Sequence, residues 1–202
     1  MQKQNGINES NMIDMLRVKI YIDGPNFYHG LQSIGKKYRE FQFNFAGMGR
    51  TLTTKNRNLV GINYYSSPFN QQRNPGIYRE QQKFFARLRN NGISVILCKT
   101  EYRIVDRNAH ILQSKGTIKG DDISIAVDML SDAYDDVYDV AILVSSDGDF
   151  VPLVKKVQSM GKRVEILYFE NLKSWELINS CKNYRQVSKS LIRRNFIPKD
   201  ED

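Results

Sequence analysis

The chain is poor in cysteine and histidine, the residues that build disulfide frameworks and zinc sites. Its 202 residues include two cysteines, Cys98 and Cys181, whose spacing fits neither a zinc motif nor a disulfide framework. We therefore expect both to be reduced interior residues of a cytoplasmic protein. The two histidines, His29 and His110, belong to no motif, so no Cys/His constellation competes as a metal site.

Long apolar runs and nucleotide-binding loops are also missing. No stretch approaches the roughly 20 apolar residues that a transmembrane helix needs, and the polar first ten residues lack the apolar core of a secretory signal. The sequence has no Gly-x-x-x-x-Gly-Lys-Ser/Thr phosphate loop and no Gly-x-Ser-x-Gly nucleophile motif. We therefore expect no membrane partner and no serine-based chemistry.

Charge is unevenly distributed along the chain, which carries a formal net charge of +8. Residues 1–120 contain 19 Lys and Arg residues against 7 Asp and Glu residues, whereas residues 121–149 contain 9 Asp residues and no basic residue. An acidic centre within a basic protein suits an enzyme that holds cations and acts on a polyanion. The acids between residues 132 and 139 precede a predicted strand, so we expect them to be a solvated connection.

Alternating apolar and amphipathic segments predict an α/β fold with a mainly parallel sheet and helices on both faces. Strand-like runs occur at 18–22, 59–65, 93–98, 140–145 and 164–169. Helix-like segments lie at about 26–38, 77–90, 121–133, 149–160 and 172–181. The polar segments 39–58 and 100–119 predict loops, the first with room for a short helix. The length of the chain fits one domain.

Two short acidic clusters follow predicted strands. Asp23-Gly24-Pro25-Asn26 comes after the first strand, and Asp147-Gly148-Asp149 comes after the fourth. Because parallel strands end at the same edge of a sheet, where α/β proteins bind ligands, we expect the two clusters to meet there. Carboxylates brought together repel one another unless a proton or a divalent cation neutralises them. The sequence therefore predicts a metal site.

A third acidic pair, Asp121-Asp122, opens a predicted helix. Acids are favoured in a first helical turn by capping and by the helix dipole, so this pair is either structural or part of the site. Asn26 lies at the start of another helix, where Asn commonly caps free N–H groups, and this role is compatible with ordering a metal-bound water. A cluster of such carboxylates suits Mg²⁺ or Mn²⁺.

Basic residues surround the predicted site in sequence. Arg103, Arg107 and Lys115 lie in the segment that ends beside Asp121-Asp122, and Arg73 lies in another polar stretch. We expect these residues to guide a nucleic acid strand electrostatically. A generally basic, solvated surface remains the alternative for each of them.

Three motifs, in this order, resemble the NYN domain and, more narrowly, its LabA-like branch among the PIN-like nucleases. They are Ile22-Asp23-Gly24-Pro25-Asn26, Lys119-Gly120-Asp121-Asp122, and Leu143 to Phe150 followed by Pro152-Leu153. In that family the pattern runs as an early Ile-Asp-x-x-Asn, a central Lys-Gly-x-Asp and a late Ser-Gly-Asp-x-Asp-Phe-x-x-Leu. The resemblance covers residues 17–187.

The resemblance implies a PIN-like three-layer α/β/α fold and metal-dependent cleavage of RNA, which we expect to be single-stranded. Carried over by position, the ligands of Mg²⁺ or Mn²⁺ are Asp23, Asp122, Asp147 and Asp149. Asn26 supports them, and Lys119 faces the phosphates, although a plain surface lysine is the alternative. Asp121 occupies the variable place of Lys-Gly-x-Asp and is either an extra ligand or a first-turn acid. A homodimer is a further expectation from the resemblance.

The chain also departs from the family pattern. Ser146 replaces the usual Gly, which narrows the space beside the metal site, and Cys181-Lys182 stands where an acid often follows the late Ser-x-x-Leu segment. Residues 1–16 and 188–202 flank the resemblance as an N-terminal extension and a partly disordered tail.

Two other functions remain open from the sequence. A non-catalytic RNA-binding or regulatory module would keep a weak or vestigial metal site. A metal-dependent phosphatase acting on a small phosphoester is also compatible with an Asp-rich α/β fold, although the basic surplus favours a polyanionic substrate.

Overall fold

An entirely parallel six-stranded sheet forms the centre of the computed structural model, which describes residues 15–53, 56–104 and 114–197. Its strands are β1 (Leu16–Asp23), β2 (Arg57–Ser66), β3 (Ser94–Leu97), β6 (Val140–Val144), β7 (Arg163–Tyr168) and β8 (Asn183–Gln186). Two further strands, β4 (Lys99–Ile104) and β5 (Ser114–Lys119), pair antiparallel as a separate two-stranded sheet.

Helices cover both faces of the sheet, so the protein has three layers. Within the described residues they are α1 (Gly24–Ile34), α2 (Phe45–Leu52), α3 (Pro75–Asn90), α4 (Asp121–Tyr134), α5 (Val151–Ser159), α6 (Trp175–Asn179) and α7 (Lys189–Asn195). Buried side chains of α1, α2, α3 and α7 form one core, and those of α4, α5 and α6 form the other. This arrangement confirms the predicted α/β fold with a mainly parallel sheet.

The apolar sequence of β1 explains its central position in the sheet. Val18, Ile20 and Ile22 face one core, whereas Tyr21 faces the other, and all four side chains are fully buried. A strand buried on both faces needs this nearly continuous apolar sequence. The apolar run Val140–Val144 of β6 has the same cause.

The strand order creates a crevice beside β1. The chain runs from β1 outward to β2 and β3, and later returns to place β6 on the other side of β1, so the order is β3-β2-β1-β6-β7-β8. Ile22 of β1 lies opposite Val144 of β6 in the ladder. Open α/β sheets bind ligands at such a switch point, outside the carboxyl ends of the strands. We call this side of the sheet the carboxyl edge.

Several polar segments that were predicted to be loops or partly disordered contain regular elements, of which only the short helix within 39–58 was allowed for. The predicted loop at 100–119 is wrong where the structure describes it, because β4 and β5 form a hairpin there. Residues 45–52 of the other predicted loop form α2. Within the tail expected to be partly disordered, α7 packs Leu191 and Ile192 into the core, while residues 198–202 lie outside the described part.

The two cysteines and the lengths of the helices bear on the expectations of reduced interior thiols and of no membrane span. Cys98 and Cys181 are both free and buried. Across the described ranges, every helix is too short or too polar to serve as a membrane span.

Candidate active site

Asp23 is the buried end of β1 and the N-cap of α1. One carboxylate oxygen accepts from the backbone N–H of Asn26 at 3.0 Å, and the other accepts from the Ser145 hydroxyl at 2.8 Å. Burial raises the pKa of Asp23 to about 7; these two hydrogen bonds oppose the rise, and the charges of Asp121 and Asp122 add to it. The turn after β1 therefore holds a fixed carboxylate whose ionised form needs a positive charge nearby.

Asn26 joins the turn after β1 to the loop after β6. Its side-chain oxygen accepts from the backbone N–H of Ser146 at 3.1 Å. The cap of α1 is Asp23, so the interpretation of Asn26 as the cap is wrong; Asn26 donates its backbone N–H to that cap instead. The Asn26 side chain is thereby free to fix the position of the second acidic turn.

Ser145 and Ser146 are buried, and their hydroxyls form hydrogen bonds with the segments around the acidic turns. The Ser145 hydroxyl donates to Asp23 and accepts from the backbone N–H of Asp147 at 3.1 Å, which links the two acidic turns through one oxygen. The Ser146 hydroxyl accepts from the backbone N–H of Phe169 at 3.0 Å. Ser146 therefore contacts the segment after β7, where a glycine would leave that N–H without this acceptor.

Asp149 lies in a 3-10 turn, Gly148–Phe150, and Asp147 is the N-cap of that turn. Asp147 is half-buried and caps the turn by accepting from the backbone N–H of Asp149 at 2.9 Å, while Asp149 is exposed. A Cβ on Gly148 would lie 2.9 Å from the Ser174 hydroxyl, so close packing requires glycine between the two acids. The turn presents one constrained and one solvent-facing carboxylate.

The third acidic pair opens α4, as predicted. Asp121 is buried, and Asp122 is exposed as a residue. Partial burial of its carboxyl, then the charges of Asp121, Asp147 and Asp149, raise the pKa of Asp122 to about 6. The acidic cluster, as we call Asp23, Asp121, Asp122, Asp147 and Asp149, is therefore one electrostatically coupled group.

The acids at the opposite end of the sheet are neutralised. Asp132 pairs with Lys19 at 2.6 Å, Asp139 with Arg17 at 2.8 Å, and Asp136 with both Arg17 and Lys162. These acids lie away from the acidic cluster, as expected, but the expected solvated connection is wrong for Asp132, which lies within α4, and incomplete for Asp136 and Asp139, which form ion pairs. Among the side chains that the structure describes, no Lys or Arg forms such a pair with the acidic cluster.

The donor set of the acidic cluster suits a hard divalent cation. Its side chains offer carboxylate oxygens, the ligands that Mg²⁺ and Mn²⁺ prefer. Among the described residues, no three His, Cys, Asp or Glu side chains are gathered tightly enough to enclose a metal ion. Mg²⁺ is usually held by one or two carboxylates and keeps several waters. The cluster therefore fits a partly hydrated ion better than one coordinated by the protein alone.

The predicted RNA-binding residues lie on two segments. The backbone of β4 and β5 carries Arg103, Lys115 and Lys119, and Lys119 is the last residue of β5 before Gly120 and α4. Arg107 lies outside the described residues. Arg73 is exposed on the segment between β2 and α3, at the carboxyl edge. The structure thus brings the end of the basic hairpin next to the acidic cluster.

An open groove leads away from the acidic cluster between α4 and α5. Its volume is about 370 Å³, at the lower end of the range for small-ligand sites. Asp122 and Asp149 line one end, and its other lining residues are Ile123, Ala126, Leu130, Phe150, Pro152, Leu153 and Lys156. The groove gives the cluster an approach from solvent with an apolar floor.

Fold and site together define a PIN-like α/β protein with an acidic carboxyl edge. The family model of the NYN domain matches residues 17–188, and the chain belongs to the NYN domain family. This family indicates a nuclease-type function related to RNA. No curated protein matches the chain.

The same fold occurs in a crystal structure of a protein of unknown function from Vibrio parahaemolyticus. The two chains are 22% identical and superpose with a TM-score of 0.64, over 93% of this chain and 99% of the other. At this identity the similarity shows the fold alone.

Two residues of the site were missed or left undecided by the sequence analysis. Ser145 links both acidic turns, but a buried serine after a strand has no distinguishing pattern. Asp121 is more buried than Asp122, and of the two its charge acts more strongly on Asp23. The buried position of Asp121 could have been inferred only from the direction in which α4 leaves the hairpin.

Proposed function

We propose that the protein is a metal-dependent ribonuclease of the LabA-like branch, which hydrolyses phosphodiesters of single-stranded RNA. The observation that carries the proposal is the acidic cluster at the switch point of the sheet. Its carboxylates come from three separate segments, and burial together with the neighbouring charges raises the pKa of Asp23 and Asp122. Among the described side chains, no Lys or Arg forms an ion pair with the cluster. Such a group is costly to keep ionised unless it binds a cation.

Mg²⁺ or Mn²⁺ would be held by Asp23, Asp122, Asp147 and Asp149. When bound, such an ion activates water and neutralises the charge that develops on a phosphodiester. Asp23 is oriented for this role by its hydrogen bonds from Asn26 and Ser145. Asp149 is more exposed than Asp147 and lines the open groove between α4 and α5.

The remaining residues of the proposed site hold the geometry and attract the substrate. Asn26 fixes the loop after β6 by accepting from Ser146. Lys119, Arg103, Arg107, Lys115 and Arg73 would attract the phosphates of the strand, supported by the net charge of +8. Attack of water on the phosphodiester would leave a 5′-phosphate and a 3′-hydroxyl.

The test compares wild type, Asp147→Asn and a matched control. Asp147→Asn keeps an acceptor for the Asp149 N–H and so preserves the turn, while it removes one charge from the cluster. Asp135→Asn removes a charge from an exposed acid at the far end of α4. Each protein is incubated with end-labelled single-stranded RNA and DNA in Mn²⁺, Mg²⁺ or EDTA.

We expect wild type and Asp135→Asn to cut RNA only with metal, and Asp147→Asn to lose at least about 100-fold in rate, as for other groups that stabilise transition-state charge. Equal cutting by Asp147→Asn would contradict the site. Release of inorganic phosphate from mononucleotides without cutting of RNA would indicate a phosphatase instead.

A non-catalytic RNA-binding module is the second candidate. The observation that favours it is that the described side chains form no ready-made cage of three metal ligands. This candidate predicts RNA binding that EDTA leaves unchanged, and no cutting of any RNA by wild type.

A further inference from the structure

Trp175 is the single tryptophan of the chain, and it is largely exposed. It is the first residue of α6, and 61% of its surface is accessible to solvent. Tryptophan is on average well buried, because its large apolar ring contributes strongly to cores and interfaces. An exposed tryptophan on a well-packed element is therefore a candidate contact residue for a ligand. The element is well packed, since Leu177 and Ile178 of the same helix are buried.

The position of α6 places Trp175 beside the acidic turn. Ser174 caps α6 by accepting from the backbone N–H of Leu177 at 3.3 Å. The same hydroxyl lies against Gly148, where a Cβ would approach it to 2.9 Å. Gly148 stands between Asp147 and Asp149, so Trp175 directly follows the residue that contacts the middle of the acidic turn.

A lysine orients the indole ring. The Lys173 ammonium lies 4.5 Å from the ring centroid and also pairs with the carboxylate of Glu170. A cation over the face of an indole attracts the ring electrostatically. This contact holds the side chain from one face of the ring, and the large exposed surface of Trp175 gives a ligand access to the ring. A fixed ring loses little conformational freedom when it binds.

We propose that the open face of Trp175 stacks on a nucleobase of the RNA strand whose backbone lies at the acidic cluster, an inference that rests on the proposed function. The ligand class follows from the geometry: an exposed aromatic residue directly follows Ser174, which contacts the glycine between Asp147 and Asp149. Those carboxylates suit a cation that binds phosphate, and nucleotides combine a flat base with a phosphate. Every base has a π-face, so this contact retains the strand with little sequence preference.

Tryptophan fluorescence measures whether a ligand contacts this ring, because all tryptophan emission of the chain comes from Trp175. Wild type is titrated with a single-stranded oligoribonucleotide in EDTA, which prevents metal-dependent cutting. We expect the emission to be quenched at the concentrations at which a shift assay shows binding. Inorganic polyphosphate, which has charge without bases, should compete for binding but leave the emission unquenched.

Three variants separate stacking from other effects. Trp175→Ala should bind the oligonucleotide about 5- to 150-fold more weakly, which corresponds to the cost of removing one base–aromatic stack. Trp175→Phe keeps a ring and should restore most of the affinity. Tyr134→Ala removes an 83% exposed aromatic ring at the other end of α4, about 20 Å along the helix from the acidic cluster, and should bind like wild type.

The outcomes distinguish this inference from the proposed function. If the emission of wild type stays constant while it binds RNA, or if polyphosphate quenches the emission as RNA does, the stacking inference is wrong. The ribonuclease proposal then stands if wild type cuts RNA with metal, and it falls if wild type binds RNA without cutting it. An emission shift on concentrating the protein without RNA would assign the ring to contact with a second copy and overturn it likewise. Absence of both RNA binding and cutting would overturn the two together. The wild-type titration needs no variant, so misfolding of Trp175→Ala leaves the test intact.

Discussion

At the scale of single residues, Glu40 shows how a buried carboxyl group outside the acidic cluster affects the stability of the fold. It opens a 3-10 turn, is 8% exposed, and accepts from the Tyr64 hydroxyl at 2.7 Å. Burial raises its pKa to about 7, although the Tyr64 hydrogen bond opposes the rise. The folded protein therefore holds a proton on Glu40 more tightly than the unfolded chain does.

This raised pKa makes the stability of wild type depend on pH. The stabilising contribution is fully present below the ordinary pKa of 4.5 and is lost as the pH rises through about 7. Glu40→Gln keeps an acceptor for Tyr64 and cannot ionise. We expect the free energy of unfolding of Glu40→Gln, relative to wild type, to increase by about 2–3 kcal/mol between pH 4 and pH 8.

Urea unfolding at several pH values measures this difference. The exposed Glu176→Gln is the matched control, compared with wild type in the same way. A difference between Glu40→Gln and wild type that stays constant from pH 4 to pH 8 would show that Glu40 does not bind its proton more tightly in the folded state.

The acids of the site were easier to predict from the sequence than the residues that form hydrogen bonds with the acidic turns. Asp23 and Asp147 follow apolar strands, so their meeting at one edge follows from the parallel sheet. The roles of Asn26 and Ser145 depend on which residue begins α1 and on how the loop after β6 turns. Helix boundaries are the least determined part of a periodic pattern, since one residue changes the cap.

At the scale of elements, helix α1 depends on a glycine that its sequence pattern does not explain. A Cβ on Gly30 would lie 2.2 Å from the ring of Phe169, which is buried between α1 and the sheet. Gly76 in the first turn of α3 is the opposite case, because nothing lies within 4 Å of the corresponding Cβ. Both glycines are helical, so intrinsic helix propensity favours alanine at both positions.

The two glycines should therefore respond to alanine with opposite signs. Gly30→Ala should lower the free energy of unfolding by about 1–3 kcal/mol, because the added methyl group overpacks the core. Gly76→Ala should raise it by up to about 1 kcal/mol. Thermal and urea unfolding of both variants measure the changes. Stabilisation by Gly30→Ala would mean that Phe169 has room to move.

Elements with strong apolar periodicity were predictable, whereas β8 was not predicted and α2 was predicted only as room for a short helix within 39–58. All four residues of β8 are exposed, so its sequence shows no strand pattern. Helix α2 contains Gly47 and Gly49, which are typical of a loop. The structure explains them by close packing, since a Cβ at Gly47 would approach the Asn195 side chain of α7 to 2.6 Å. Such contacts between distant elements cannot be read from local sequence.

At the scale of the whole molecule, the acids at the two ends of the parallel strands differ in whether they have basic partners. Acids at the amino ends of the strands are paired with Arg17, Lys19 and Lys162. The acidic cluster at the carboxyl edge adjoins the end of the basic hairpin and has no such partner among the described side chains. This asymmetry favours the binding of a cation and a polyanion at the same edge.

RNA affinity should therefore depend on salt, and the hairpin should carry part of that dependence. The logarithm of the binding constant falls with the logarithm of salt concentration by about 0.7 for each single-strand phosphate contact. Replacing Lys115 and Lys119 by alanine should reduce this slope by about 1.4 in EDTA. Replacing the exposed Lys155 and Lys189 removes the same net charge from helices outside the hairpin. Equal slopes for the two double variants would favour a generally basic surface.

The pairing of β1 with β6 also sets when the acidic cluster can form during synthesis. Asp23 and Asp149 are 126 residues apart in the chain, although their strands are neighbours in the sheet. At about 5–20 residues per second, the ribosome needs roughly 6–25 s to add the second acidic turn after the first. Until then β1 can pair with β2 but not with β6, and Asp23 lacks the Ser145 hydroxyl. The first acidic turn of a nascent chain is therefore present for roughly 6–25 s without the second, so the acidic cluster cannot assemble during that interval.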